Sequence, residues 1–243
     1  MTGVGRNLIL KSMANGIARN LEAIRRRVES AARRAGRAPE SVTLIGVSKT
    51  VPVERIREAA EAGLVDLGEN RVQEAREKIP LLPETIRWHL VGHLQGNKAR
   101  PAAELFRVVH SVDSVGILRR LERAAGEFGR SIEALVQVEL GEEETKFGVS
   151  EEGLDEILEA AGECRSIRVR GLMILPPYEE DPEKMRPYFR RLRDLREAAA
   201  ARHPGLALEE LSMGMSEDFE VAIEEGATMV RVGRALFGER MKP

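Results

Sequence analysis

Ile17, Leu21, Ile24 and Val28 recur at three- and four-residue intervals, an apolar stripe that predicts a helix over about residues 15–36. Arg33 and Arg34 gather late in it and Gly36 supplies a stop. From Val42 the rhythm changes. Short β-branched runs at 42–48, 64–67, 87–91, 107–111, 132–139, 168–175, 208–212 and 229–232 alternate with amphipathic stretches. Pro52 is placed to open a helix that stops at Gly63. Ser150 and Ser216, each followed by two acidic residues, have the form of helix N-caps. Met185, Tyr188, Phe189, Leu192 and Leu195 line one face of a further long helix.

Strands alternating with helices predict a parallel sheet, and eight such units in about 200 residues fit an α/β fold, a (β/α)8 TIM barrel. The expected architecture is one domain over 1–243, with the barrel at about 42–240 behind an extra N-terminal helix. The competing architecture is an open doubly wound sheet, whose first strand usually runs into a glycine-rich turn. Here that strand runs into Val47-Ser48-Lys49-Thr50-Val51-Pro52, with no such glycines.

Composition narrows the function. A net charge of −2 leaves no electrostatic footprint for nucleic acid. The single cysteine, Cys164, permits neither an internal disulfide nor a cysteine zinc cluster and points to a reducing compartment. The apolar run near the N-terminus is too short for a signal-peptide core, and no stretch approaches a membrane span. A soluble, cytoplasmic protein is expected.

In a barrel, chemistry gathers after the C-terminal ends of the strands. Thr43, Ile45, Val47 and Lys49 share a strand face, which puts an amine at the end of an apolar row. Partial desolvation there favours the neutral amine, suited to forming an imine with an aldehyde or ketone. Position alone leaves open that Lys49 simply points into solvent. Ser212-Met213-Gly214-Met215-Ser216 and Val232-Gly233-Arg234 follow the last two strands, where barrels commonly hold phosphate on free amides and a short helix. Together with Lys49 they outline a site for a phosphorylated carbonyl compound. Arg231, inside the lumen two residues before Gly233, faces either a ligand or a carboxylate such as Glu209 or Glu69. His89 and His93 sit four apart on a strand and turn without an intervening glutamate, a poor zinc pattern. His110 and His203 read as isolated. Glu142–Glu144 and Glu179–Asp181 read as solvated loops, and Cys164 as inert.

Seven ordered stretches carry a wider resemblance: Gly46–Lys49, Gly68–Glu74, Trp88–Lys98, Lys146–Gly148, Gly171–Met173, Leu211–Asp218 and Val230–Gly238. From about residue 15 to 240 the chain resembles the pyridoxal phosphate homeostasis protein family, whose barrel is like the N-terminal domain of alanine racemase. The resemblance implies pyridoxal 5′-phosphate (PLP) held as an internal aldimine on Lys49. Asn70 then lies near the ring, and Arg231 faces the pyridine nitrogen. Ser212 and Met213, with the amides of Gly233 and Arg234, form the phosphate cradle. Lys146 matches a second lysine associated with PLP transfer. Relatives often carry Thr or Ser where Arg234 stands, which removes a hydroxyl contact but leaves the amide.

An arginine beside the pyridine nitrogen disfavours its protonation and weakens the ring as an electron sink. The expected role is therefore binding, buffering or delivering PLP, to PLP-dependent apo-enzymes among others, by a monomer with little catalysis. The alternative is an active amino-acid racemase. Barrel racemases add a C-terminal β-domain and acid/base side chains. This chain ends five residues after Gly238, and only Tyr178 and Tyr188 offer a phenol. A lysine-dependent aldolase acting on phosphosugars without PLP is a third possibility.

Overall fold

The computed structural model describes residues 4–141, 147–177 and 179–238, with side chains from residue 16 onward. Eight parallel strands pair in chain order and close into a barrel, β8 returning onto β1. They are β1 (Thr43–Val47), β2 (Asp66–Glu69), β3 (Arg87–Leu90), β4 (Val108–Val112), β5 (Ile132–Gln137), β6 (Ile167–Met173), β7 (Glu210–Ser212) and β8 (Met229–Val232). The eight-unit pattern read from the sequence is therefore the fold.

The surrounding helices are α1 (Val4–Arg34), α2 (Val53–Glu61), α3 (Val72–Lys78), α4 (Ala99–Leu105), α5 (Val115–Glu127), α6 (Glu151–Gly162), α7 (Arg186–Arg202), α8 (Phe219–Glu224) and α9 (Arg234–Phe237). Among the described residues, no helix is long and apolar enough to cross a membrane.

Most strand ends shift by one or two residues from expectation, and three departures have a specific local cause. The second strand starts at Asp66 rather than 64, because Leu64 belongs to the end of α2. Its amide reaches the Ala59 carbonyl and the Gly63 amide reaches Ala60, with Gly63 at φ +86°. That paired closure ends the helix through a left-handed glycine. The first helix begins at Val4, well before 15, since Gly5 and Gly16 weaken a helix without breaking it. Ser216 does not cap α8, whose N-cap is Asp218. Ser150 does cap α6, accepting from the Gly153 amide.

The buried stripe Ile17, Leu21, Ile24 and Val28 of α1 packs with α2, α8 and α9, over the seam where β8 meets β1. Burying each such side chain stabilises by about 1.5–3 kcal/mol. Asn20 Nδ2 ties the same helix to the Leu236 carbonyl of α9 at 3.0 Å. Inside the barrel, Ile45, Val108, Leu135, Met173 and Met229 form a separate apolar cluster. Gly171 is required where β6 meets β7: a Cβ there would lie 1.8 Å from the Glu210 carbonyl oxygen.

Candidate functional site

Lys49 follows β1 directly and is half-buried. Ile45, on the same alternating face, lies in the lumen cluster. The turn after Lys49 is strained, with Thr50 at φ 62°, a region that β-branched residues avoid. A buried ionic cluster holds it there. Lys78 Nζ donates to the Ser48 carbonyl (2.7 Å), Glu69 Oε1 (2.8 Å) and Glu74 Oε1 (2.6 Å). Ser48 Oγ donates to Glu69 at 2.7 Å, and the Thr50 amide donates to Glu74 at 2.6 Å. Burial pushes the Glu69 carboxyl above its ordinary value despite the Lys78 and Ser48 bonds.

Across the β1–β8 seam, Lys49 shares a pocket with Val47, Gly233, Arg234 and Phe237. Gly233 is the N-cap of α9, and a Cβ on it would stand 3.4 Å from the Val47 carbonyl. The first amides of such a turn have no partner within the helix. Ser216 Oγ accepts from the Ala235 amide at 3.3 Å, so this serine serves α9 instead of α8. Arg234 is exposed and its guanidinium pairs with Glu217 at 2.9 Å, joining the loops after β7 and β8. In the loop after β7, Met213 is buried and its amide donates to the Met229 carbonyl at 3.1 Å. Gly214, at φ +89°, lies so close to Ala222 and Phe219 of α8 that no side chain would fit.

Arg231 is buried in the lumen at 3% exposure, and neither expected carboxylate partners it. Glu209 pairs with Arg170, and Glu69 lies on the outward side of β2 with Lys78. Arg231 instead donates to Ser212 Oγ at 2.5 Å and to the Ile174 carbonyl at 2.8 Å. Burial lowers its pKa to about 10, against the opposing charge of Asp218. It remains a guanidinium at neutral pH, held by neutral acceptors.

Asn70 follows β2, half-buried, with its backbone against Gly92: a Cβ on Gly92 would fall 2.2 Å from the Asn70 carbonyl oxygen. Gly92→Ala should therefore displace the Asn70 loop and cost about 1–3 kcal/mol, measured by urea unfolding. An unchanged midpoint would show that the loop yields freely.

Lys146, Tyr178 and Glu142–Glu144 lie outside the described residues. Phe147 stacks on His93 with ring centroids 3.6 Å apart, and His93 Nδ1 lies 3.1 Å from Asp113 Oδ2. Tyr188 packs against the core between helices and barrel. Among the described residues no group of three metal-ligating side chains forms. Burial raises the Cys164 thiol to about 11, in keeping with an inert cysteine.

Two features escaped the sequence reading. His110 is not isolated: it bonds His89 and Ser212 inside the lumen, and His203 bonds Asp155. The Glu69–Glu74–Lys78 cluster was legible only as the i, i+4 spacing of Glu74 and Lys78. A larger cavity, about 670 Å³, lies at the opposite end of the barrel beside Arg25, Thr43 and Asp66, and none of the predicted site residues among the described ones lines it.

A family model described as the N-terminal domain of alanine racemase matches residues 19–241. The pyridoxal phosphate homeostasis protein of Aquifex aeolicus is 46% identical over 221 residues, 90% of this chain and 96% of that protein. The Escherichia coli K12 protein of the same name is 39% identical over 236 residues, 93% of this chain and 97% of its own. The chain belongs to the pyridoxal phosphate homeostasis protein family. Among solved structures, PipY of Synechococcus elongatus with PLP bound is 41% identical, with TM-score 0.81 over 91% of this chain and 100% of that one. An alanine racemase from Clostridium difficile aligns with TM-score 0.69 over 93% of this chain and 57% of its own. At 16% identity the likeness extends to the barrel fold alone.

Proposed function

We propose that this protein binds PLP covalently through Lys49 and holds it in reserve for PLP-dependent apo-enzymes, with little turnover of its own. The observation that carries the reading is the convergence of Lys49 with the Gly233–Arg234 turn in one pocket, above a lumen that holds the buried guanidinium of Arg231. Family membership and the PLP-bound PipY relative support it. The donor set suits the cofactor: an amine for its aldehyde, backbone amides for its phosphate, and a cation for its ring nitrogen.

When bound, PLP supplies an aldehyde carbon that a lysine amine attacks with loss of water. Lys49 Nζ is that amine, presented by the clamped turn at the end of β1. The amides of Gly233 and Arg234 would receive the phosphate, with Ser212 and Met213 bordering it, since the Met213 amide is already given to the Met229 carbonyl. Asn70 borders the ring, and Lys146 takes part in passing the cofactor on. Arg231 would serve the pyridine nitrogen, and a guanidinium there would disfavour its protonation, which suits a holder better than a racemase. Racemisation needs a second acid/base group across the ring, and Tyr188 is packed against the core. The protein acts as a cytoplasmic monomer.

The test is direct. Purified protein mixed with PLP, reduced with borohydride and digested should carry the pyridoxyl mass on the Lys49 peptide. A protein that stays colourless and unlabelled would reject the reading and favour a PLP-free lysine aldolase. Sustained isomerisation of L- to D-amino acids, lost in Lys49→Ala, would favour the racemase.

A further inference from the structure

Below Ser212 and Arg231 the lumen continues as a single file of polar groups, Asp66, His89 and His110, that PLP attachment does not use. His89 Nε2 lies 2.8 Å from Asp66 Oδ1, and His89 Nδ1 lies 2.9 Å from His110 Nε2. His110 Nδ1 lies 2.8 Å from Ser212 Oγ, which accepts from Arg231 Nη1 at 2.5 Å. At the far end Arg87 donates to both oxygens of Asp66. The file thus runs across β2, β3, β4, β7 and β8, from the N-terminal edge of the barrel to the floor of the site.

Counting protons gives this file one direction. Burial alone would raise the Asp66 carboxyl, but the bonds from His89 and Arg87 hold it below the usual range, so it only accepts. His89 Nε2 therefore carries a hydrogen. Burial outweighs the pull of Asp66 and keeps His89 neutral, so its Nδ1 accepts and His110 Nε2 must donate. His110 is kept neutral by burial, by His89 and by Arg231, so its Nδ1 accepts in turn and the Ser212 hydroxyl must donate to it. The lone pairs of that hydroxyl are left to Arg231. The charged groups facing the two rings are Asp66, Arg87, Glu133 and Arg231, and Asp218 faces Arg231.

We propose that Asp66, His89 and His110 are positioning residues for Arg231: their one-way file commits the Ser212 proton to His110 and a Ser212 lone pair to the guanidinium, holding Arg231 in one orientation beneath the site. This rests on the proposed role of Arg231 toward the ring nitrogen of PLP. Ser212 then has no proton left for a ligand oxygen, and phosphate recognition falls to backbone amides. The file is a fixed dipole chain and not a proton conduit, because it ends on a guanidinium that stays charged.

Histidine ¹⁵N NMR of the ligand-free protein tests the file without PLP. Both rings should show the neutral Nε2–H tautomer at about pH 7.5, and each should take up a second proton only below the ordinary histidine value. An Nδ1–H tautomer at His110, or protonation of either ring at or above the ordinary histidine value, would overturn the proposal. The buried, hydrogen-bonded Arg231 side-chain hydrogens should exchange at least about tenfold faster in Ser212→Ala and His110→Phe than in the wild type. Unchanged exchange in both would also overturn it.

With PLP added, the absorption of the wild-type adduct should be flat from about pH 7 to 8. In His110→Phe it should become pH-dependent, with binding roughly tenfold weaker. His110→Gln, which keeps one acceptor and one donor, should restore the flat profile; a purely structural role predicts no such rescue. If His110→Phe does not fold, the wild-type tautomers and Ser212→Ala decide. If wild-type protein fails to bind PLP, the proposed function falls, while the ligand-free measurements still judge the file.

Discussion

Lys49→Ala should lose the visible band of bound PLP and all borohydride-fixed label on the peptide that spans the end of β1. Affinity should fall by roughly 100-fold, equivalent to about 3 kcal/mol, and not to zero. On the proposed site the remaining hold would come from groups the substitution leaves in place: the Gly233–Arg234 amides beside the same pocket, and Arg231 below it. Fold stability should change by less than about 1 kcal/mol, because Lys49 is only half-buried and its turn is clamped by Lys78, Glu69 and Glu74 through the neighbouring residues. Binding and stability thus separate in this variant. Titration with PLP and urea unfolding measure the two. A variant that keeps the same band and an equal yield of label would remove Lys49 from the site.

The barrel was legible because five of the eight strands, β1, β4, β5, β6 and β8, carry β-branched residues between turn signals, and such runs answer to local rules. The ends of α2 and α1 were less so. Leu64 looks like a strand residue by composition, yet two backbone bonds around Gly63 claim it for the helix terminus. Lys49, Asn70, Gly233 and Arg234 could be placed by counting along strands, since the C-terminal ends of neighbouring strands meet in any closed parallel barrel. The partners of Arg231 could not. The sequence offered carboxylates, but Glu69 lies outward on β2 and Glu209 lies beside Arg170, whereas Arg231 points into the lumen. The bonds that matter there join residues 21, 23, 102 and 19 positions apart. A polar residue on a strand reads as an exception when met alone. Asp66, His89, His110 and Ser212 become one structure only when closure brings their strands together.

Lys78→Met should cost about 3 kcal/mol or more at neutral pH, a much larger loss than an exposed lysine would give. Lys78 has 10% of its side chain exposed and Glu69 none, and the second Glu69 oxygen is buried without a hydrogen-bond partner. Removing the ammonium leaves that carboxylate with Ser48 alone and frees the Ser48 carbonyl. The pH dependence has a defined sign. In the wild type, burial already holds the Glu69 carboxyl above its unfolded value, so the folded state binds the proton more tightly. Its ionisation therefore lowers stability as pH rises from the ordinary glutamate value, about 4.3, through the folded one. Without Lys78, whose hydrogen bond and charge oppose that rise, the carboxyl moves higher still. The deficit of Lys78→Met should thus be large at about pH 7.5 and shrink toward pH 5 as Glu69 takes up a proton. Glu69→Gln in the same background should recover much of it, because a neutral amide can be buried where a lone carboxylate cannot. PLP affinity should fall alongside stability, since Lys78 and Glu74 together hold the strained Lys49–Thr50 turn. Urea unfolding at the two pH values settles the matter: equal deficits at both, with no recovery in the double variant, would show that the cluster is a solvated ion pair and does not clamp the turn that presents Lys49.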